Sequence, residues 1–286
     1  MKIDFHTHIY PDDIASSTIN AVCERSGISA YTDGTIKGLK QSMKKAGIDI
    51  SVVAAVPTKP NQVASIQKWL SSIRQPGIEA LAAIHPDVSL TTDQLKNLKQ
   101  EGFKGFKLHP DYQNFFVDEP RMFPIYEKIA EEDMFILFHA GVDRGLPYPV
   151  HGTPKGIARI HKNFPGLKII AAHLGGEDVY EETLRYLVGQ DIYMDTSFVL
   201  RIVPRPFLER IFKEHPIERI LFASDSPWTD QKEELEFLLN LPFLSETDKE
   251  KICFYNAARL LGLAYPDIKP NNEVLTPNTI KGAQPC

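Results

Sequence analysis

The chain opens with Met1-Lys2-Ile3-Asp4-Phe5-His6-Thr7-His8, and the apolar part of this stretch predicts a buried β-strand that ends in two histidines. Alternate side chains of a strand point to the same face, so His6 and His8 project together with Cα atoms about 6.6 Å apart. Two imidazoles held in this way can bind one metal ion from a rigid support. The alternative is a pair of unrelated histidines near a flexible terminus, and the apolar flank favours the strand.

The composition indicates a soluble globular protein rather than one that binds nucleic acid or a membrane. A length of 286 residues is normal for a single α/β barrel, and the net charge of −5 comes without a basic block, which disfavours nucleic acid and anionic membrane partners. No apolar run approaches the ~20 residues that span a bilayer, and no leader pattern precedes the first strand. Cys23, Cys253 and Cys286 are widely spaced and indicate free thiols. We therefore expect a cytoplasmic protein.

Eight short apolar or β-branched runs alternate with helical patterns along the chain. The predicted strands cover residues 2–9, 50–56, 78–85, 103–109, 134–140, 168–174, 192–198 and 219–225. The predicted helices cover residues 35–47, 61–74, 92–101, 121–132, 154–163, 178–188, 204–213, 231–240 and 246–262. This alternation implies parallel strands joined by right-handed crossovers, and eight such units predict an α/β fold of the closed (β/α)₈ TIM barrel type. An open doubly wound sheet is the alternative, but no Gly-rich phosphate turn follows the first strand.

The barrel is expected to be one domain over residues 1–265. Residues 10–34 form a long insertion after the first strand, which could fold over the barrel mouth. From Pro266 onward the chain becomes rich in Pro and Asn and loses periodicity. Residues 266–286 are therefore predicted to be a C-terminal extension, packed on the body or on a neighbouring subunit, or disordered.

Polar side chains mark the carboxyl ends of several predicted strands, where TIM barrels place their active sites. They are His6 and His8 after strand 1, His139 after strand 5, His173 after strand 6 and Asp225 after strand 8. Imidazoles and one carboxylate suit Zn²⁺ or a similar divalent ion that keeps a position open for water or substrate. A carboxylate beside the metal can accept a proton, and a nearby histidine can donate one. His139 could instead be an ordinary core histidine, and Asp225 would be costly to bury without a partner.

These motifs resemble those of the amidohydrolase superfamily, and most closely its amidohydrolase-related (family 2) branch, which includes aminocarboxymuconate-semialdehyde decarboxylase. The resemblance covers nearly the whole chain and rests on Asp4-Phe5-His6-Thr7-His8, Phe106-Lys107-Leu108-His109-Pro110, His139-Ala140-Gly141, Ala172-His173-Leu174-Gly175-Gly176, Asp195-Thr196-Ser197, Ala223-Ser224-Asp225-Ser226-Pro227 and Phe254-Tyr255-Asn256-Ala257-Ala258-Arg259-Leu260-Leu261. It implies that His6, His8, His139 and Asp225 bind the metal. It also implies that His173 is catalytic and that Asp225 doubles as the base for metal-bound water.

Four side chains keep more than one interpretation. His173 could bind a second metal, act as an acid/base group or support another side chain, and we favour acid/base chemistry. Lys107 is expected to bind a substrate carboxylate, although many superfamily members carry a carbamylated lysine on this strand that bridges two metals. His109 shares its face and either lines the pocket or is a loop histidine. Asp195 either satisfies backbone groups or orients His173 from behind.

The main hypothesis is a metal-dependent hydrolase that attacks a small, carboxylated substrate through metal-activated water. One divalent ion is expected, Zn²⁺ with Mn²⁺ as the alternative, and a second ion is disfavoured. A non-oxidative decarboxylase with the same ligands is the alternative function, and the branch resemblance supports it. A non-catalytic barrel is a third hypothesis, which predicts missing ligands, and none is missing. The resemblance also implies a homodimer.

Overall fold

Eight short parallel strands form the inner layer of the computed structural model, which describes residues 1–264. The strands are β1 (Ile3–Thr7), β2 (Ile50–Val53), β3 (Ile78–Ala80), β4 (Gly105–Leu108), β5 (Phe135–Phe138), β6 (Lys168–Ala171), β7 (Tyr193–Asp195) and β8 (Ile220–Leu221). Each predicted strand is present but shorter than predicted. The missing residues lie mostly at the carboxyl ends, where the chain leaves the regular pairing and turns its polar side chains toward one another.

Two hydrogen-bonded sheets, β1–β2–β3 and β4 through β8, join into one ring. At the first seam the Ala82 N–H donates to the Gly105 carbonyl oxygen over 2.8 Å. At the second seam the Asp225 N–H donates to the His6 carbonyl oxygen over 2.9 Å. These bonds confirm the TIM barrel, and the second of them fixes the backbones of two predicted metal ligands against each other.

Helices cover the outside of the barrel. They are α1 (Asp12–Ser26), α2 (Ile36–Ala46), α3 (Val63–Ile73), α4 (Thr92–Gln100), α5 (Phe123–Glu131), α6 (Pro154–Asn163), α7 (Tyr180–Tyr186), α8 (Arg205–Glu214), α9 (Gln231–Leu239), α10 (Glu246–Glu250) and α11 (Asn256–Leu261). A π-helical stretch, Lys251–Tyr255, joins α10 to α11. The insertion predicted at residues 10–34 contains α1, which the sequence analysis did not assign as a helix. No helix within residues 1–264 is long and apolar enough to cross a membrane.

The apolar core has two layers, as expected for a barrel wrapped by helices. The larger layer lies between the strands and the helices and includes Phe106, Phe138 and Tyr126. The smaller layer fills the barrel and includes Phe5 and Leu137. This filled interior gives the strand ends a rigid base. The predicted extension at residues 266–286 lies outside the described residues.

A buried histidine at the end of α8 predicts a pH-dependent stability. The His215 Nε2–H donates to the Ile192 carbonyl oxygen (3.0 Å), the Gly189 N–H donates to Nδ1 (3.3 Å), and burial lowers the pKa of His215 to about 4. The unfolded chain binds a proton at this residue below about pH 6.5, whereas the folded chain does so only near pH 4. Stability should therefore fall as the pH drops from 6.5 to 4, by up to about 3 kcal/mol from this residue.

Urea unfolding at pH 7 and pH 4.5 checks this expectation. His215→Gln should lose less stability between the two pH values than the wild type, whereas His161→Gln on α6 should behave like the wild type. Equal losses in the wild type and His215→Gln would contradict the assignment.

Candidate active site

The predicted site residues converge on one cavity of about 670 Å³ at the carboxyl ends of the strands. Apart from Asp195, all of them line it: His6, His8, Lys107, His109, His139, His173 and Asp225. Their convergence follows from the fold, because parallel strands of a barrel present their carboxyl ends on one face.

Three of the predicted metal ligands form a compact donor group. His6, His8 and Asp225 each offer an atom within 4.8 Å of the others. The Asp225 Oδ1 lies 3.1 Å from the His8 Nε2 and 3.6 Å from the His6 Nε2. Donors bound at about 2.1 Å to a tetrahedral ion stand about 3.4 Å apart, so this spacing fits one divalent cation.

The imidazole of His6 is oriented from behind by a carboxylate. Its Nδ1–H donates to the Asp195 Oδ2 over 3.0 Å, which leaves the Nε2 lone pair facing the cavity. The sequence left two roles for Asp195, to satisfy backbone groups or to orient the ring of His173. The Asp195 Oδ1 accepts the backbone N–H groups of His173 and Ser197 (3.1 Å each) and the Ser197 hydroxyl, while β7 places the other oxygen of this carboxylate directly behind His6. Asp195 therefore fixes the tautomer of a proposed metal ligand.

A chain of hydrogen bonds also sets the tautomer of His139. The Ser197 carbonyl oxygen lies 3.0 Å from the His173 Nδ1, and a carbonyl only accepts, so this nitrogen carries the hydrogen. In the neutral form of His173, its Nε2 accepts from the His139 Nδ1, 2.9 Å away. The His139 Nε2 is left as a buried nitrogen with no hydrogen-bond partner among the described residues. An unprotonated, unpartnered nitrogen of this kind is suited to bind a metal.

His139 also belongs to a second donor group. His109, His139 and Asp143 each offer an atom within 4.8 Å of the others, and the rings of the two histidines stack with centroids 4.1 Å apart. The His109 Nε2 lies 3.2 Å from the Asp143 Oδ2. The first donor group does not include His139, so its place as the fourth ligand stays a prediction. The sequence analysis missed Asp143, although it follows His139 by only four residues.

Lys107 brings a buried cation to the metal ligands. Its Nζ lies 2.9 Å from the His6 Nε2, and the residue is only 1% exposed to solvent. Burial lowers the pKa of Lys107 to about 8, against the opposing effect of Asp195 and Asp225. The ammonium group therefore stays charged at neutral pH and can donate to a ligand oxygen in the cavity.

Asp225 remains ionised in the same environment. Burial alone would raise its pKa, but His6, His8 and His173 together lower the pKa of Asp225 well below its usual range.

Two site residues have a left-handed backbone conformation, Asp225 with a φ of 71° and His173 with a φ of 60°. Left-handed backbone at such residues costs about 1–3 kcal/mol and clusters at functional sites.

Glu177, which was not predicted from the sequence, and Arg144 are further polar residues on the cavity wall. The Arg144 Nε donates to the Glu177 Oε1 over 2.8 Å. Burial raises the pKa of Glu177 to about 7, although His173 and Arg144 act in the opposite direction. Glu177 follows the Gly175-Gly176 turn after β6, which was the available signal in the sequence.

Comparisons with known proteins agree with this fold. A family model described as "Amidohydrolase" matches residues 3–263. The chain is similar in structure to an uncharacterised TIM-barrel protein from Bordetella bronchiseptica (20% identity, 91% of this chain and 98% of that chain, TM-score 0.69). It is also similar to 5-carboxyvanillate decarboxylase from Sphingomonas paucimobilis (15% identity, 92% and 99%, TM-score 0.66). A third is dihydroxybenzoic acid decarboxylase from Polaromonas, with bound manganese and the inhibitor 2-nitroresorcinol (18% identity, 91% and 96%, TM-score 0.68). No curated protein matches the chain.

Proposed function

Because the chain belongs to the amidohydrolase family whose model matches residues 3–263, we propose that it is a metal-dependent, non-oxidative decarboxylase of a small aromatic or unsaturated acid. The sequence analysis favoured hydrolysis and kept decarboxylation as its alternative. The observation that carries the proposal is the buried ammonium group of Lys107 beside the donor group of His6, His8 and Asp225. A fixed cation beside a metal suits a substrate carboxylate. Two structural neighbours, the decarboxylases from Sphingomonas paucimobilis and Polaromonas, support the same choice.

The donor atoms fit one divalent ion. His6, His8 and Asp225 would hold it, and the unpartnered His139 Nε2 is proposed as the fourth donor. When bound, such an ion would act as a Lewis acid toward the substrate oxygens it contacts. Imidazole and carboxylate donors accept both Zn²⁺ and Mn²⁺, and the manganese in the Polaromonas enzyme supports Mn²⁺.

Side chains of the protein bind the substrate and transfer the proton. The Lys107 ammonium group binds a substrate carboxylate or hydroxyl oxygen, and the His6 Nε2 that it contacts here would instead serve as a metal donor. The ionised Asp225 accepts the proton of a substrate hydroxyl group and returns it to the ring carbon that bears the carboxylate. That proton transfer forms the new C–H bond with a π electron pair of the phenolate ring. The bond from the same carbon to the carboxylate then breaks, CO₂ leaves, and the electron pair of that bond restores the aromatic ring. The product leaves as a phenolate that takes its last proton from water.

His173 has a different part in this proposal from the acid/base role we favoured from the sequence. Its two ring nitrogens face the Ser197 carbonyl oxygen and His139. We therefore propose His173 as a positioning residue that holds the Nε2 of His139 toward the metal.

The test of the reaction is product identity. Protein loaded with Mn²⁺ should release CO₂ from 2,6-dihydroxybenzoate or 5-carboxyvanillate in amounts equal to the decarboxylated arene, and should open no lactone ring. Lactone hydrolysis without CO₂ release from any of these acids would restore the hydrolase hypothesis and exclude the proposal.

Metal content provides an independent test. Elemental analysis of the active protein should give one Mn²⁺ or Zn²⁺ per chain, and removal of the ion by a chelator should abolish CO₂ release until it is restored. A ratio of two ions per chain would contradict the single-ion site.

A further inference from the structure

The cavity has a second set of lining residues, on two helices, that the proposed reaction does not use. It consists of two helical stripes, one from α1 and one from α3. Ile14, Thr18, Ala21 and Val22 of α1 lie at helical spacing along the cavity. Ser65, Ile66 and Trp69 of α3 face it from the second helix, and Gln62 lines the cavity just before this helix begins. Side chains three and four positions apart share one face of a helix, so each stripe is a continuous surface.

Apolar side chains on this wall remain open to the cavity. Ile14 is 44% exposed, and Val22, Ile66 and Trp69 are only partly buried. An apolar group that covered them would remove apolar surface from water, which is favourable by about 25 cal/mol per Å². Arg25 stands at the C-terminal end of the α1 stripe, where its guanidinium group donates to the hydroxyl of Tyr112 and lies 4.9 Å from the centre of its ring.

The two ends of the cavity therefore differ in chemistry. Lys107 and the imidazole and carboxylate donors lie at the strand ends, whereas aliphatic and aromatic side chains lie on α1 and α3. The volume of about 670 Å³ falls within the ~300–1,000 Å³ typical of sites for drug-sized ligands. A one-ring acid bound at the donor groups would fill only part of a cavity of this size.

We infer that the preferred substrate is an amphiphilic acid, a hydroxyarene carboxylate with an apolar substituent that packs between α1 and α3. This inference rests on the proposed function for the reacting end of the substrate. The polar head binds at the metal ligands and Lys107, and the apolar substituent contacts Val22, Ile66 and Trp69.

A homologous series of acids tests the inference. The probes are 2,6-dihydroxybenzoate and its 4-methyl, 4-propyl and 4-pentyl derivatives, with Mn²⁺-loaded protein. Calorimetry gives the Kd of each acid, and CO₂ release gives kcat/KM. Complete burial of a methylene group corresponds to about fourfold in affinity. Because the cavity is partly open, we expect about 10²-fold between the parent acid and the pentyl derivative.

Variants of α1 test whether the apolar side chains of this helix cause the gain in affinity along the series. Val22→Asp places a charge against the substituent and should remove most of the gain of the pentyl acid, with little effect on the parent acid. Asn20→Asp adds the same charge on the exposed side of the same helix and should leave the series unchanged. Ala21→Phe fills the space without a charge and should exclude the pentyl acid while the parent acid still binds. Circular dichroism shows whether each variant is folded, and Ala21→Phe provides the test if Val22→Asp is not.

The outcomes separate this inference from the proposed reaction. CO₂ release without any gain along the series overturns the inference and leaves the reaction in place. Affinity that rises with chain length, without CO₂ release, supports the amphiphilic ligand and overturns the reaction. Neither CO₂ release nor a gain in affinity overturns both.

Discussion

Asp225→Asn is expected to lower CO₂ release by at least about 10³-fold, because the substitution removes both a metal donor charge and the proposed proton carrier. The Asp225 Oδ1 lies 3.1 Å from the His8 Nε2 and 3.6 Å from the His6 Nε2. The substitution therefore removes the negative charge from between the two imidazole donors. An amide oxygen can still contact the ion but cannot accept the substrate proton at neutral pH. The measurements are the rate of CO₂ release and the metal content of the purified variant.

Asp230→Asn is the matched control. It makes the same chemical change five residues along the chain, where the Asp230 side chain accepts the N–H groups of Lys232 and Glu233 at the start of α9. Asparagine caps a helix about as well as aspartate, so activity should stay within about twofold of the wild type. An Asp225→Asn variant that retained a tenth of the wild-type rate would contradict the role given to this carboxylate.

The barrel could be predicted from the sequence because its strands are buried on both sides and read as continuous apolar runs. Helix α1 could not be predicted in this way. Only Ala15 and Ile19 of this helix are buried, and its cavity face mixes Ile14 and Val22 with Thr18 and Ala21. A helix that lines a partly open cavity does not need the apolar stripe of a helix that covers the core.

That most side chains of the site line one cavity could also be predicted, because the fold brings strand ends together whatever the details of the loops. Their pairing could not. His173 and Asp225 have positive φ values at the ends of their strands. This backbone conformation changes the direction of both side chains, and the alternation of apolar and polar residues in the sequence does not predict it. Whether Asp195 contacts the ring of His6 or of His173 depends on a few ångströms at the end of β7. Sequence spacing does not determine distances of that size.

Lys107 is the residue whose burial is hardest to explain by stability. Burial lowers its pKa from 10.5 to about 8, which corresponds to a cost of about 3 kcal/mol for keeping the side chain charged in the folded state. Lys107→Met should therefore fold at least as stably as the wild type, because it removes a buried cation in favour of an apolar side chain of similar length. A buried charge that costs folding free energy, at the carboxyl end of a barrel strand, indicates a group retained for binding or chemistry.

Lys107→Met is accordingly expected to lower kcat/KM for decarboxylation by about 10²–10³-fold, since loss of a buried charge partner of a carboxylate costs roughly 2–5 kcal/mol. Most of the loss should be in KM if the ammonium group binds the substrate carboxylate before the transition state. Lys104→Met, an exposed lysine just before β4, is the control and should keep wild-type kinetics.

The metal content of the same variant separates the two interpretations of this lysine. If Lys107 binds substrate, Lys107→Met retains one ion per chain and the wild-type protein has the mass of its unmodified sequence. If Lys107 is carbamylated and bridges two ions, the wild type holds two ions per chain and the Lys107→Met variant loses at least one of them. An added carboxylate such as formate should then restore metal binding to the variant.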